Sequence, residues 1–318
     1  MDSIIIFVVA LLAATMRMAT PLIFAGLGGV FSERSGVVNI GLEGMMTIGA
    51  FFAVWVTFET GNPWMGLIGA IVAGAVLSLL HAFLSITLKA DQVISGTAIN
   101  LFASAFCAFL IKVLFNKGGQ TDSVATLPSL PKWLINGLYK IPGIGKYLGD
   151  FVGGLNWFVV FALILVALST FIIYKTPLGL RIRSVGEHPK AADTLGINVY
   201  TMRYLCVAIS GGLAGFGGAA LSIGIAGIYS NGMVAGKGFI ALAAMIFGNW
   251  KPKGTMLACL LFGFAEAFQI KAQGFGWNLP TEIYSSLPYV LTMLALSGLV
   301  GKTTAPRADG VPYEKGSR

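Results

Sequence analysis

The chain has 318 residues, of which 56% are hydrophobic and 11% charged, with a formal net charge of +8 and a mean hydropathy of +0.82. A soluble domain carries about 25% charged residues, so a water-soluble fold is excluded. Apolar runs of about 20 residues recur from end to end, long enough to cross a bilayer as helices, whereas the ~10-residue alternation of a membrane β-barrel is missing. The expectation is an all-α, polytopic membrane protein.

In chain order the apolar segments are 4–31, 39–58, 66–88, 93–115, 156–174, 201–224, 233–249, 254–272 and 284–300. They predict about nine transmembrane helices, with eight to ten compatible with the pattern. Arg17 and Pro21 offer a place to split the first segment. That segment has no basic stretch before it and reads as a retained helix, not a cleaved signal. Lys and Arg collect between segments: Arg34, Lys89, the 175–203 stretch, Lys251 with Lys253, and the tail with Lys302, Arg307, Lys315 and Arg318. With nine spans these fall on one side, which the positive-inside rule makes the cytoplasm. The basic balance therefore implies lipid as partner and no nucleic acid. Residues 1–303 read as one transmembrane domain, with 116–155 an extracellular loop, 176–203 a cytoplasmic loop and 304–318 a cytoplasmic tail. Cys107, Cys206 and Cys259 all lie in apolar runs and read as packing residues, not as a disulfide or metal set.

Two interrupted segments stand out. Residues 35–51, SGVVNIGLEGMMTIGAF, hold Asn39 and Glu43 among glycines, and Lys237 lies in the corresponding place of the second half. Gly36-Val37-Val38 echoes Gly232-Met233-Val234, Glu43-Gly44 echoes Lys237-Gly238, and His81-Ala82-Phe83 echoes Glu266-Ala267-Phe268. Two pseudo-symmetric halves with broken helices follow, and paired breaks of this kind point to a transport site. A charge at a helix centre costs about 2.5–3.5 kcal/mol on insertion scales, so it should face protein, water or a ligand. One reading has Glu43 and Lys237 pairing or capping the breaks. The other has them lining a solute path with Asn39, Asn100, Asn231 and Ser95, so that Glu43→Gln would keep the fold and alter transport. His81 reads first as a helix–helix hydrogen-bond partner. The glycine run 211–219 reads as a close-packing face.

No enzyme constellation is present. VGKTT at 300–304 lacks the first glycine of a phosphate loop, because position 296 is Leu296, and no strand precedes it. The polar stretch 176–205 is more informative. Gly186, Glu187, His188 and Pro189 can open a short helix, Lys190 to Asp193 continue it, and Gly196 ends it. Such a helix could dock in a groove of another protein, or lie on lipid headgroups.

ERSGVVNIGLEGMMTIGAF and GEHPKAADTLGINV together resemble the permeases of bacterial ABC importers for branched-chain amino acids, ribose and nucleosides, over about residues 17–300. The first motif is similar to the nucleoside branch, which works with a surface lipoprotein. The resemblance implies a multi-pass protein of the bacterial plasma membrane that carries a nucleoside, purine nucleosides such as guanosine foremost. It implies a second, related permease subunit and an extracellular substrate-binding lipoprotein, with loop 116–155 a candidate contact for the latter. It also implies a separate ATPase that holds ATP and Mg, leaving this chain without a cofactor or a catalytic role. Gly186, Glu187, His188, Pro189, Ala191, Ala192 and Gly196 would then belong to the helix that couples ATPase closure to the pathway. A permease for a simple sugar shares most of these features, and a secondary transporter shares the hydropathy.

Overall fold

The computed structural model describes residues 2–272 and 303–315, together with Ile283, Ser286, Val290 and Met293. Four long helices come first: α1 (Asp2–Arg34), α2 (Leu42–Thr60), α3 (Pro63–Ala82) and α4 (Gln92–Phe115). The 116–155 stretch carries two short helices, α5 (Lys132–Tyr139) and α6 (Gly145–Gly153). Then come α7 (Trp157–Lys175), α8 (Pro177–Glu187), α9 (Pro189–Thr194), α10 (Val199–Leu221), α11 (Lys237–Phe247) and α12 (Pro252–Ala272). Helices α3 and α10 each run on into a turn of π-helix, Phe83–Thr87 and Ser222–Ala226.

Among the described residues, seven helices are long and apolar enough to cross a membrane, and the protein is a multi-pass membrane protein. The expected count of nine is not reached on these residues. The segment 233–249 yields only α11, whose 11 residues span about 16 Å at 1.5 Å per residue, half a bilayer core. The segment 284–300 lies outside the described residues apart from isolated positions. Helix α1 is unbroken through Pro21. A proline removes one intrahelical donor, but packing against other helices keeps such a kink inside protein: Gly217 of α10 lies directly on the Pro21 carbonyl.

The packing repeats between the halves. Helix α3 lies along α10, and α12 lies along α1; α2 packs on both α3 and α10, and α11 on both α12 and α1. Exchanging α1 with α10, α2 with α11 and α3 with α12 reproduces the same pairings. The glycine run on α10 allows the close approach. A Cβ on Gly218 would sit 2.0 Å from the Met46 carbonyl, and one on Gly215 would sit 2.2 Å from that of Ala70. Backbone contact of this kind replaces the hydrophobic drive that lipid removes.

The basic segments meet at one end of the bundle. The Arg34 side chain donates to the Trp250 carbonyl at 2.9 Å, Thr304 N donates to Asn249 Oδ1 at 3.0 Å, and Lys89 pairs with Glu314. At the other end Trp64 and Trp157 stand 6.5 Å apart.

Candidate functional site: two broken segments joined through Glu43

Between α1 and α2, residues 35–41 leave the helix, with Gly36 at φ +89°. Inside lipid every freed backbone group needs a partner, at several kcal/mol each if it has none. Side chains from four helices supply them here. Ser32 Oγ donates to the Val37 carbonyl at 2.6 Å. Arg203 Nε of α10 donates to Ser35 O at 3.2 Å. Gln92 Oε1 accepts from Val38 N at 2.7 Å. Asn100 Nδ2 donates to Ile40 O at 3.0 Å, while its Oδ1 accepts from Gly44 N at 2.7 Å.

His81 completes this set and is fully buried. Its Nε2 lies 3.0 Å from the Val38 carbonyl, which can only accept. The proton therefore sits on Nε2, and Nδ1 accepts from Ser95 Oγ at 3.0 Å. Asn39, also fully buried, donates from Nδ2 to Ser210 Oγ at 2.9 Å. Its Oδ1 is buried with no donor.

The second break, 227–236, contains four left-handed residues: Gly227, Gly232, Ala235 and Gly236. The start of the 116–155 loop closes it. Val124 N donates to Gly227 O, Thr121 N to Tyr229 O and Asn231 N to Gly119 O, at 2.8–2.9 Å. Asn231 itself is exposed.

Glu43 links the two breaks. Its Oε1 accepts from Gly236 N at 2.8 Å and its Oε2 from Gly238 N at 2.7 Å. One carboxylate thus satisfies two of the four free N–H groups that open α11, and its charge faces the positive end of that helix. The N-terminus of α2 meets that of α11 so closely that a Cβ on Gly238 would lie 2.5 Å from Glu43 N. The direct ion-pair partner of Lys237 is not Glu43: the Lys237 Nζ binds Glu266 Oε1 of α12 at 2.6 Å. The two ionisable residues that the sequence sets side by side therefore have different partners, and the match of His81 with Glu266 carries no shared role.

Of the sequence-derived path residues, Asn39, Glu43 and Asn100 gather around the first break and Lys237 stands at the start of α11; Asn231 lies apart, among residues of the loop end. Gln92, Ser32 and Ser210 carry no signal in the sequence, and Arg203 counts there only as one of the basic residues of the 175–203 stretch. Each is an ordinary polar residue in an apolar helix, and only the fold reveals which carbonyl or side chain it serves. An apolar cleft of about 470 Å³ between α2, α3 and α4 is lined by Phe52, Trp55, Phe102 and Phe106 among others, and by none of the polar residues of the breaks.

In the basic loop, Pro189 opens α9 and the chain turns left-handed at Gly196, φ +81°. The stretch before it is also helical, as α8, so two short helices meet at His188. Gly186 and Ala192 are buried, while His188, Lys190, Ala191 and Leu195 face outward, Leu195 at 81% exposure. Among the described residues no cluster of His, Cys, Asp and Glu has the makings of a metal site.

Residues 11–296 match the family described as the branched-chain amino acid transport system permease component. The chain is 47% identical over 313 residues to the guanosine ABC transporter permease protein NupQ of Bacillus subtilis, covering 96% of each chain. It is 44% identical to the nucleoside ABC transporter permease protein NupC of Lactococcus lactis, over 93% of this chain and 94% of that one. It is 36% identical to the putative glucose ABC transporter permease protein TsgC13 of Haloferax volcanii, over 95% of this chain and 94% of that one.

Proposed function

The chain belongs to the branched-chain amino acid transport system permease family, and from that premise we propose that it forms part of the translocation path of an ATP-driven nucleoside importer. The observation that carries the cargo is the 44–47% end-to-end identity with guanosine and nucleoside permeases, which exceeds the 36% with a putative glucose permease. In this reading the chain sits in the plasma membrane as two pseudo-symmetric halves and works with an ATPase, a second permease subunit and an extracellular binding lipoprotein. ATP and Mg belong to the ATPase.

The two breaks are the moving part. A break held by side-chain hydrogen bonds can exchange partners without exposing backbone to lipid, which a continuous helix cannot do. Glu43 and Asn100 carry the backbone of the breaks, and Lys237 with Glu266 braces α11 on α12. Asn39 Oδ1 is the acceptor left for a solute N–H or O–H when the path opens. A nucleoside offers such donors along its edges. Asn231, at the far end, belongs to the entrance. The surface of α8 and α9 around Glu187, His188, Pro189, Ala191 and Leu195 docks in the ATPase, while Gly186 and Ala192 seat that helix pair on the bundle.

The test is uptake of labelled guanosine, adenosine, uridine, ribose and glucose in cells with and without this gene. Loss of guanosine uptake is expected. Loss of sugar uptake alone would transfer the cargo to sugars. Guanosine uptake that survives inactivation of the ATPase would replace the mechanism with secondary transport.

A further inference from the structure

Residues 303–315 pack into the basic end of the bundle. Pro306 and Ala308 are buried, and Tyr313 is 6% exposed within the same apolar cluster as Val30, Ile182, Val185, Ala192 and Val199. The segment is held at five places. Thr304 N donates to Asn249 Oδ1 at 3.0 Å. Ala308 N donates to the Gly186 carbonyl, at the end of α8, at 2.8 Å. Arg203 Nη1 donates to Val311 O at 3.0 Å. Tyr200 donates to Tyr313 O at 3.3 Å. Glu314 pairs with Lys89 in the turn after α3. The Tyr313 hydroxyl also lies near the Asp193 carboxylate on α9.

These anchors share residues with the first break. Arg203 is 1% exposed. The same guanidinium that holds Val311 holds the carbonyl of Ser35, where the break begins. Gly186 lies so close to Arg34 that a Cβ there would be 2.2 Å from the Arg34 carbonyl, and a Cβ on Gly36 would be 2.9 Å from that of Ala308. The end of α8, the start of the break and the C-terminal segment therefore meet in one packed cluster, with no room for one to shift alone.

We propose that residues 303–315 are a strap that holds α8 and α9 in register with the 35–41 break, with Arg203 as the positioning residue at their junction. The strap makes the helix pair and the break one body, so a push on α9 reaches Ser35 instead of being lost in loop motion. The consequence for transport rests on α8 and α9 being the ATPase-docking element of the proposed importer; the positioning itself does not.

Two measurements separate these. In the purified full complex, hydrogen exchange of amides 190–198 is compared between the intact chain and one ending at Thr303. At least tenfold faster exchange in the shortened chain is expected, and unchanged exchange would overturn the strap. Guanosine taken up per ATP hydrolysed is then measured in vesicles, with basal hydrolysis and subunit recovery as controls. The shortened chain is expected to keep both controls and lose at least fivefold in transport per ATP. Should it fail to assemble, Lys89→Glu, Glu314→Lys and the double exchange K89E/E314K decide. Both measurements should shift in each single variant and recover in the double. Three variants equal to the unaltered chain would overturn the strap. An intact complex that moves no guanosine, while exchange still responds to shortening, would sink the importer reading and leave the strap standing.

Discussion

Glu43 is the residue that joins the two breaks. Its two oxygens each accept a backbone N–H of α11. Glutamine has one oxygen and would turn its amide donors toward the other N–H. Glu43→Gln is therefore expected to destabilise the protein by about 1–3 kcal/mol, the penalty of an unsatisfied buried donor, seen as a lower melting temperature in detergent together with reduced uptake. The sequence-based expectation of an intact fold with altered transport would hold only if the melting temperature stayed put. Asp309 of the strap lends itself to a pH experiment. Burial pushes its carboxyl up to about 7 from an ordinary 3.8, while a hydrogen bond with Glu33 of α1 and the charge of Arg203 on α10 pull it the other way. The docked strap thus holds a proton that the released strap gives up. Docking is favoured below about pH 4 and weakens as pH rises toward 7, then levels off, by at most about tenfold per pH unit for one group. Limited proteolysis of the tail should accelerate across that window, and Asp309→Asn should flatten the profile. No acceleration in the unaltered chain would refute this account of Asp309.

At the level of elements, α10 is placed by its glycines. Gly218 has the Met46 carbonyl where a Cβ would go, at 2.0 Å, whereas the nearest neighbour of a Cβ on Gly212 is the Ile71 methyl at 3.4 Å. Gly218→Ala is expected to cost about 1–3 kcal/mol through overpacking or more, and Gly212→Ala to be neutral or to stabilise by about 0.5–1 kcal/mol through helix propensity. Equal melting temperatures for the two variants would remove the packing argument. The close-packing face was legible in the run GGLAGFGGA because only small residues permit such approach, although its partners α2 and α3 were not. The segment 233–249 shows the limit of hydropathy. It reads as a span because it is apolar, yet its left-handed residues at 235 and 236 stop the helix, and Glu43, more than 190 residues away, supplies the acceptors that let it stop.

Across the whole molecule, the proposed pore needs a second permease subunit. Supplying this chain and the ATPase without that subunit should therefore fail to restore guanosine uptake, and full restoration would make the pore a homodimer. Composition alone determined the solvent of this protein, because lipid admits few charges and demands runs of about 20 apolar residues. Charge placement determined which segments share an end, and two short motifs determined the family. All of these are local or additive properties of a chain. What only the tertiary structure decided is who satisfies whom. Glu43 serves the backbone N–H groups that open α11 and not the Lys237 ammonium, His81 serves a carbonyl 43 residues away, and a segment expected only as a cytoplasmic tail packs against the buried Arg203. A buried hydrogen bond depends on distance and angle between groups far apart in sequence, and those are set by how the helices pack.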